Sequence, residues 1–345
     1  MISPTRRAAT EADFTRRRLA QLAVLGIAAG AAPAVLPGTA SAAPAAAPGP
    51  APAAASRRTK APTAAGAHYD RARRLAADDP VLCALVTALT PGSGLPDLPA
   101  PPPVKLFDNL VLLSVGWVSA MALLTDEGVV LIDALTSPAD VEGVIVPGLR
   151  SVGADPAEIR HVVVTHGHAD HFGGAQTLAD RYGARVHMAA ADWDLLARTG
   201  PAGAPVRDLD IADGARLTLG GTTIELHHTP GHTPGTVSPV IPVRLGRRHH
   251  SAMLWGGLNP PSTVADLRTY LASAQSFRTV MRRANVEVEL SNHPNDHGLE
   301  RVEQLRRQPP GAANPFLLGG PRTQRYMAVM DAMLRGRIAD AEAAG

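Results

Sequence analysis

Seven consecutive residues constrain this chain more than any other feature: Thr165-His166-Gly167-His168-Ala169-Asp170-His171. They follow directly on Val162–Val164, an apolar run that reads as a buried strand, and precede Gly173-Gly174, where a helix opens. Three imidazoles and one carboxylate within six positions form a nitrogen and oxygen donor set suited to zinc. On a turn leaving a strand, His166 and His168 can point together at one metal, while Asp170 and His171 turn toward a second. A polar surface loop has no need of this donor density.

The flanking pattern alternates strand and helix. Leu110–Val115, Ser119–Leu124 and Val129–Ile132 read as consecutive strands, with Asp126-Glu127-Gly128 as the turn before the last. Ala139–Leu149 is expected to be helical, and Asp155-Pro156 marks another helix start with proline at its first position. His161–Val164 and Arg185–Met188 are short strands, followed by helices over Ala175–Tyr182, stopped by Gly183, and Ala190–Arg198. Arg216–Leu219 and Thr222–Leu226 flank Gly220-Gly221, the clearest hairpin signal in the chain. Val237–Leu245 and Ala252–Leu254 suggest a second hairpin, turning through Gly246–His250. An amphipathic helix over Thr263–Arg283, a strand at Val286–Leu290 and helices near Leu299–Leu305 and Arg325–Leu334 complete the pattern. Upstream, His68–Leu89 suits one or two short helices broken at Pro80, and Pro91–Pro103 a proline-rich connector. Two strand-rich halves, each followed by helices, suit two sheets packed face to face with helices outside.

The formal net charge of +2 invites a nucleic-acid reading that the N-terminus removes. Arg6, Arg7, Arg16, Arg17 and Arg18 stand there against Glu11 and Asp13, so the chain beyond residue 42 is left at −1. No phosphate-binding footprint remains. Thr15-Arg16-Arg17-Arg18-Leu19 resembles a twin-arginine export motif; an apolar run to Leu36 and the small-residue site Ala40-Ser41-Ala42 follow. Residues 1–42 are therefore expected to be a cleaved twin-arginine-type signal peptide, with the mature protein secreted or periplasmic. The competing reading, an uncleaved membrane anchor, meets a run that is short, rich in alanine and glycine, and broken by Pro33. Residues 43–66 are an Ala/Pro-rich tether expected to be disordered. The single cysteine, Cys83, has no disulfide partner in the chain and is expected to be a buried small hydrophobe.

The seven-residue turn resembles the H-x-H-x-D-H signature of the metallo-β-lactamase superfamily. Thr229-Pro230-Gly231-His232-Thr233-Pro234-Gly235 is similar to the superfamily's second ligand loop, and Leu131-Ile132-Asp133 to its early strand ending in an acidic residue. Either motif alone is weaker than the two together. The resemblance implies an α+β fold, a four-layer αββα sandwich over residues 67–345, and a zinc-dependent hydrolase. It implies two Zn2+ per chain, one held by His166, His168 and His232 with a position left open, the other by Asp170, His171 and His293. It also implies that a hydroxide bridging the metals is the nucleophile, with Asp170 orienting it as the catalytic side chain and Asp133 steadying the ligand loop from behind.

Many members of the superfamily carry an aspartate that bridges both metals. Here Leu254–Asn259 has no carboxylate, and the only aspartate between His232 and His293 is Asp266, inside an expected helix. The cysteine ligand of other lactamase subclasses is also absent, because Cys83 lies far upstream. Ser291-Asn292-His293-Pro294 puts a histidine where subclass B3 enzymes place their last second-site ligand, with His297 its competitor.

Three functional readings stand at this point: a hydrolase of cyclic amides such as β-lactams, a lactonase or esterase acting on another acyl compound, and a zinc-binding protein without catalysis. The first two imply a small-molecule substrate. Among the remaining histidines, one of His227 and His228 is expected to be structural and the other outward. His249 and His250 are expected on a solvated turn, and His161 and His187 in packing or supporting roles. Trp117 is placed either on the substrate cleft or in the core.

Overall fold

The computed structural model describes residues 63–93, 99–293 and 298–345. The export segment, nearly all of the tether, part of the proline-rich connector and His297 lie outside the described residues. Helices α1 (Ala64–Ala76) and α2 (Pro80–Leu89) come first, then strands β1 (Val104–Phe107), β2 (Leu110–Ser114), β3 (Ser119–Thr125) and β4 (Gly128–Ile132). A short α3 (Pro138–Asp140) runs through a π-helical turn at Val141–Ile145 into α4 (Val146–Ser151). Strand β5 (Ile159–Val163), α5 (Ala169–Phe172), α6 (Ala175–Tyr182), β6 (Arg185–Ala189), α7 (Ala190–Thr199) and β7 (Leu209–Ile211) complete the first half. The second half holds β8 (Ala215–Leu219), β9 (Thr222–His228), β10 (Val237–Leu245), β11 (Arg248–Trp255), α8 (Val264–Arg283), β12 (Val286–Ser291), α9 (Gly298–Arg307) and α10 (Gly320–Ala344).

The first seven strands form one sheet in sequence order, antiparallel from β1 to β4 and parallel from β4 to β7. The second sheet runs β12-β11-β10-β9-β8, antiparallel except for β11 with β12. Alternation along the strands decides what each face buries. Met121, Val130, Ile132 and Val163 of the first sheet meet Ile224, Leu226, Ile241, Ala252, Leu254 and Val288 of the second in the layer between them. The residues alternating with these in the first sheet, Val129, Leu131 and Val162, instead pack outward on Ile145, Leu149, Leu178 and Trp193 from the helices. On the second sheet's outer face, Val240, Met253 and Trp255 meet Tyr270 and Phe277 of α8, Tyr326 and Met330 of α10, and Leu82 and Leu85 of α2. Helix, sheet, sheet, helix is thus the order of layers, the four-layer αββα sandwich expected. Burying each such large apolar side chain contributes about 1.5–3 kcal/mol.

Capping sets several of these boundaries. Asp79 accepts from the N–H groups of Val81 and Leu82 ahead of Pro80, and Arg322 and Arg325 from α10 pair with the same carboxylate. Thr263 caps α8 at the surface: its hydroxyl oxygen accepts from the N–H of Asp266 and its hydroxyl donates to the Asp266 carboxylate. Among the described residues, no helix is long and apolar enough to cross a membrane.

The structure departs from the sequence reading in six places. Helix α1 starts at Ala64, inside the stretch read as tether, because Thr63 caps it. The expected helix after Asp155 is a single 3-10 turn, Pro156–Glu158. Strands β1 and β7 were not anticipated. Cys83 is exposed, since Leu82, Leu85 and Leu89 take the core-facing stripe of α2. The second hairpin turns through Gly246 and Arg247 alone, so His249 and His250 lie on β11: His249 is exposed as expected, but His250 is half-buried with Nδ1 2.8 Å from Glu287.

Candidate metal centre

Strand β4 is followed directly by Asp133, which takes a left-handed φ of 63° and is fully buried. That conformation strains a non-glycine residue and is held here by what the carboxylate collects. Its oxygens accept from the N–H of Thr165 at 2.8 Å, the hydroxyl of Thr165 at 3.0 Å, Nδ1 of His171 at 2.8 Å and the amide of Asn292 at 3.1 Å. One buried carboxylate therefore fixes the turn leaving β5 and the turn leaving β12. The carbonyl of Thr165 accepts from the N–H of Val237, tying the same turn to the second sheet.

Six of the side chains singled out in the sequence come together in two groups of three. His166, His168 and His232 place one ring nitrogen each within 4.8 Å of one another, and Asp170, His171 and His293 do the same. In the first group Nε2 of His232 lies 3.1 Å from Nε2 of His166 and 3.0 Å from Nδ1 of His168. In the second, Nε2 of His171 is 3.0 Å from Nε2 of His293, with Oδ2 of Asp170 3.2 Å from the former and 3.4 Å from the latter. Among the described residues no carboxylate is shared by the two groups.

The far nitrogens decide the protonation. Nδ1 of His232 donates to the carbonyl of Asn259 at 2.7 Å, and Nδ1 of His293 to that of Trp117 at 2.9 Å. Because the Thr165 hydroxyl is spent on Asp133, its oxygen accepts from Nδ1 of His166 at 3.1 Å. Neutral His166 and His232 thus turn two bare lone pairs on each other. Such a contact is repulsive until a cation sits between the rings, and backing of this kind is what metal-binding histidines use to fix their tautomer. The donor set fits a divalent ion.

Electrostatics sort the ligands in the same way. Burial, then the neighbouring imidazoles, keep His166 well below the ordinary histidine range, and burial with His168 brings His232 down to about 4. Burial also lowers His168 and His293. Burial opposes ionisation of Asp170, yet His171 and His293 hold its carboxyl below the usual range. Burial would depress His171 too, but Asp133 and Asp170 raise it to about 9. Five of the six groups stand in the form that binds a metal, and His171 must give up a proton to join them.

The other histidines lie elsewhere. His161 and His187 pair with each other across β5 and β6 at 3.0 Å. His228 bonds the carbonyl of Ile211 and His227 lies against Phe277; both are half-buried and neither points outward. Trp117 is 39% exposed and stacks on His293 with ring centres 5.9 Å apart, which puts it at the rim of the second group rather than in the core. Sequence reasoning passed over Asn292 and Asp192. Asn292 adjoins a recognised ligand and was legible by that position, whereas Asp192 sits on α7 with no motif around it.

A family model described as the metallo-beta-lactamase superfamily matches residues 115–244. A hydroxyacylglutathione hydrolase of Anaeromyxobacter dehalogenans is 36% identical over 104 residues, 30% of this chain and 36% of that protein. Another from Rhodobacter capsulatus is 29% identical over 196 residues, 52% of this chain and 73% of its own. The chain spans little more than a third of the length of the first curated relatives it matches. Among solved structures, a subclass B3 metallo-beta-lactamase of Bradyrhizobium japonicum superposes with a TM-score of 0.60 at 25% identity, covering 72% of this chain and 98% of that one. A mutant metallo-beta-lactamase from Legionella gormanii gives 0.58 at 19%, covering 71% and 95%, a likeness of fold. The signature turn, the second ligand loop and the αββα layers are thus all in place, and over residues 115–244 the chain resembles the metallo-beta-lactamase superfamily.

Proposed function

We propose that the protein is a dinuclear zinc hydrolase of small acyl compounds, with His166, His168 and His232 holding one ion and Asp170, His171 and His293 the other. The observation that carries this reading is the pair of donor groups, each backed by a carbonyl or carboxylate on its far side. When bound, the ions supply Lewis acidity for activating water and for the charge that develops on a carbonyl oxygen. The chain supplies the rest. Asp170, ionised and half-buried, offers an oxygen to orient an attacking water. His168 is exposed and Asp170 only half-covered, so the site opens on that side, where the Trp117 indole gives the substrate an apolar wall.

A cyclic amide of the β-lactam type is the substrate class we favour. The support is a second group completed by His293 with no shared carboxylate, together with the subclass B3 likeness of the fold. An ester or thioester is the second reading, favoured by the name hydroxyacylglutathione hydrolase on the sequence relatives. Purified protein assayed on β-lactams, lactones and acyl thioesters, with and without chelator, separates them. Chelator-sensitive turnover confined to β-lactams is expected; turnover confined to thioesters or lactones replaces the first reading with the second, and no turnover on any class leaves a zinc-binding protein.

Export is part of the same proposal and rests on residues 1–42 alone. The mature form is expected to begin near Ala43 outside the cytoplasm, without a stable membrane anchor. Mass measurement of the exported protein tests this, and an intact N-terminus retained in the membrane overturns it.

A further inference from the structure

Asp192 stands in the first turn of α7, fully buried, and no cationic side chain pairs with it among the described residues. Its carboxylate is instead filled by three donors from two separate loops. Oδ2 accepts from the N–H of Gly167 at 2.7 Å and from the hydroxyl of Thr233 at 2.7 Å, and Oδ1 accepts from the N–H of Gly235 at 2.8 Å. Gly167 lies between His166 and His168; Thr233 and Gly235 follow His232 directly. The approach is close: a Cβ on Gly235 would come within 2.7 Å of the Asp192 carboxyl carbon and backbone nitrogen, and one on Gly167 within 3.3 Å of the Asp192 Cβ.

A buried carboxylate is costly unless hydrogen-bonded and offset by positive charge. Three donors meet the first need. The second would be met by an ion held among the three histidines whose loops it grips. Asp133, by contrast, bonds Thr165, His171 and Asn292 and serves the other group directly.

We infer that Asp192 is a positioning residue for the first metal subsite, locking the loop of His166 and His168 to the loop of His232 so that affinity there depends on it and affinity at the second subsite does not. The inference deepens the proposed function and rests on its two subsites. Loss of a supporting group of this kind costs metal affinity 10–100-fold as a rule. Asp192→Asn is the apt change, because its amide turns an N–H toward backbone N–H groups while keeping the volume.

The test is a Co2+ titration of the chelator-stripped full chain, followed by visible absorption, in two single-subsite backgrounds. His293→Ala leaves the first group complete, and His232→Ala leaves the second. Adding Asp192→Asn to His293→Ala is expected to weaken binding about 10–100-fold, while adding it to His232→Ala changes affinity less than about twofold. Equal affinity in the first background, or the same loss in both, overturns the inference. A parent protein that takes up no ion in either background instead overturns the metal reading beneath it. Should the Asp192→Asn chains fail to melt cooperatively, Thr233→Val removes one of the three bonds and is read in the same backgrounds: a selective loss at the first subsite supports the inference and an unchanged affinity sinks it.

Discussion

His293 reaches its place from the far end of the chain, with one nitrogen on the Trp117 carbonyl and the other 3.0 Å from His171. Replacing it with alanine removes a donor but no large apolar surface. His293→Ala should therefore carry about one ion per chain instead of two, by elemental analysis, with its circular dichroism nearly unchanged. Two ions at full affinity would reassign the ligand to His297. Asp170→Asn keeps the shape of the side chain and removes its charge, so turnover on whichever substrate is found should fall about a hundredfold or more. His249→Ala, on an exposed position of β11, should leave turnover within about twofold; matching losses in the two variants would remove Asp170 from the mechanism. Four of the six donor residues, His166, His168, Asp170 and His171, were legible because metal binding demands particular atoms at close spacing, whereas His232 and His293 were legible only through the resemblance of their loops to those of a known family. Asp192 was not, since an aspartate in a first helical turn reads as an ordinary response to the helix dipole.

At the scale of elements, the pair formed by His161 and His187 has a measurable signature. Burial, then His161 and Arg185, bring His187 down to about 4. The unfolded chain takes up a proton near pH 6.5 that the folded chain refuses until about 4, so stability present above pH 6.5 is lost as pH falls through that window. With partial exposure allowed for, this amounts to about 2 kcal/mol. Urea unfolding of His187→Gln at a series of pH values should show a flatter decline between pH 6.5 and 4 than the parent, and parallel curves would refute it. The longer elements were legible from periodicity: α8 begins one residue after the expected start and ends where expected. β7 was not, because three residues, Leu209–Ile211, carry too little alternation to read. β11 was half-read because Arg248, His249 and His250 look like turn polarity, although backbone pairing with Val243–Leu245 makes them strand. α10 runs well past Leu334, the last large apolar residue of its expected stretch, since α1 covers it: Tyr69 bonds Asp340 at 2.6 Å and packs over Gly336.

At the scale of the molecule, the layer order followed from the sequence order of strands and helices. What did not follow was the return of α1 and α2 onto the second sheet beside α10, because no local pattern records a contact between residues more than 240 positions apart, such as Asp79 with Arg322. The two donor groups join the halves differently from such packing. Each takes its first ligands from the turn after β5 and its last from the second half, His232 in one and His293 in the other. Chelation should lower the melting temperature, and an ion at a thousand times its dissociation constant contributes about 4 kcal/mol; an unchanged melt would mean that neither group holds an ion. The two closures span 66 residues from His166 to His232 and 122 from His171 to His293. Their spans overlap without one enclosing the other, so ions at both sites would close the chain into two interlaced rings. Emptying either subsite would leave the other, together with the hydrogen bonds of Thr165 and Asp133, pinning the β5 turn to the second half. Withdrawal of the second ion should therefore destabilise the protein more than withdrawal of the first, whichever leaves first.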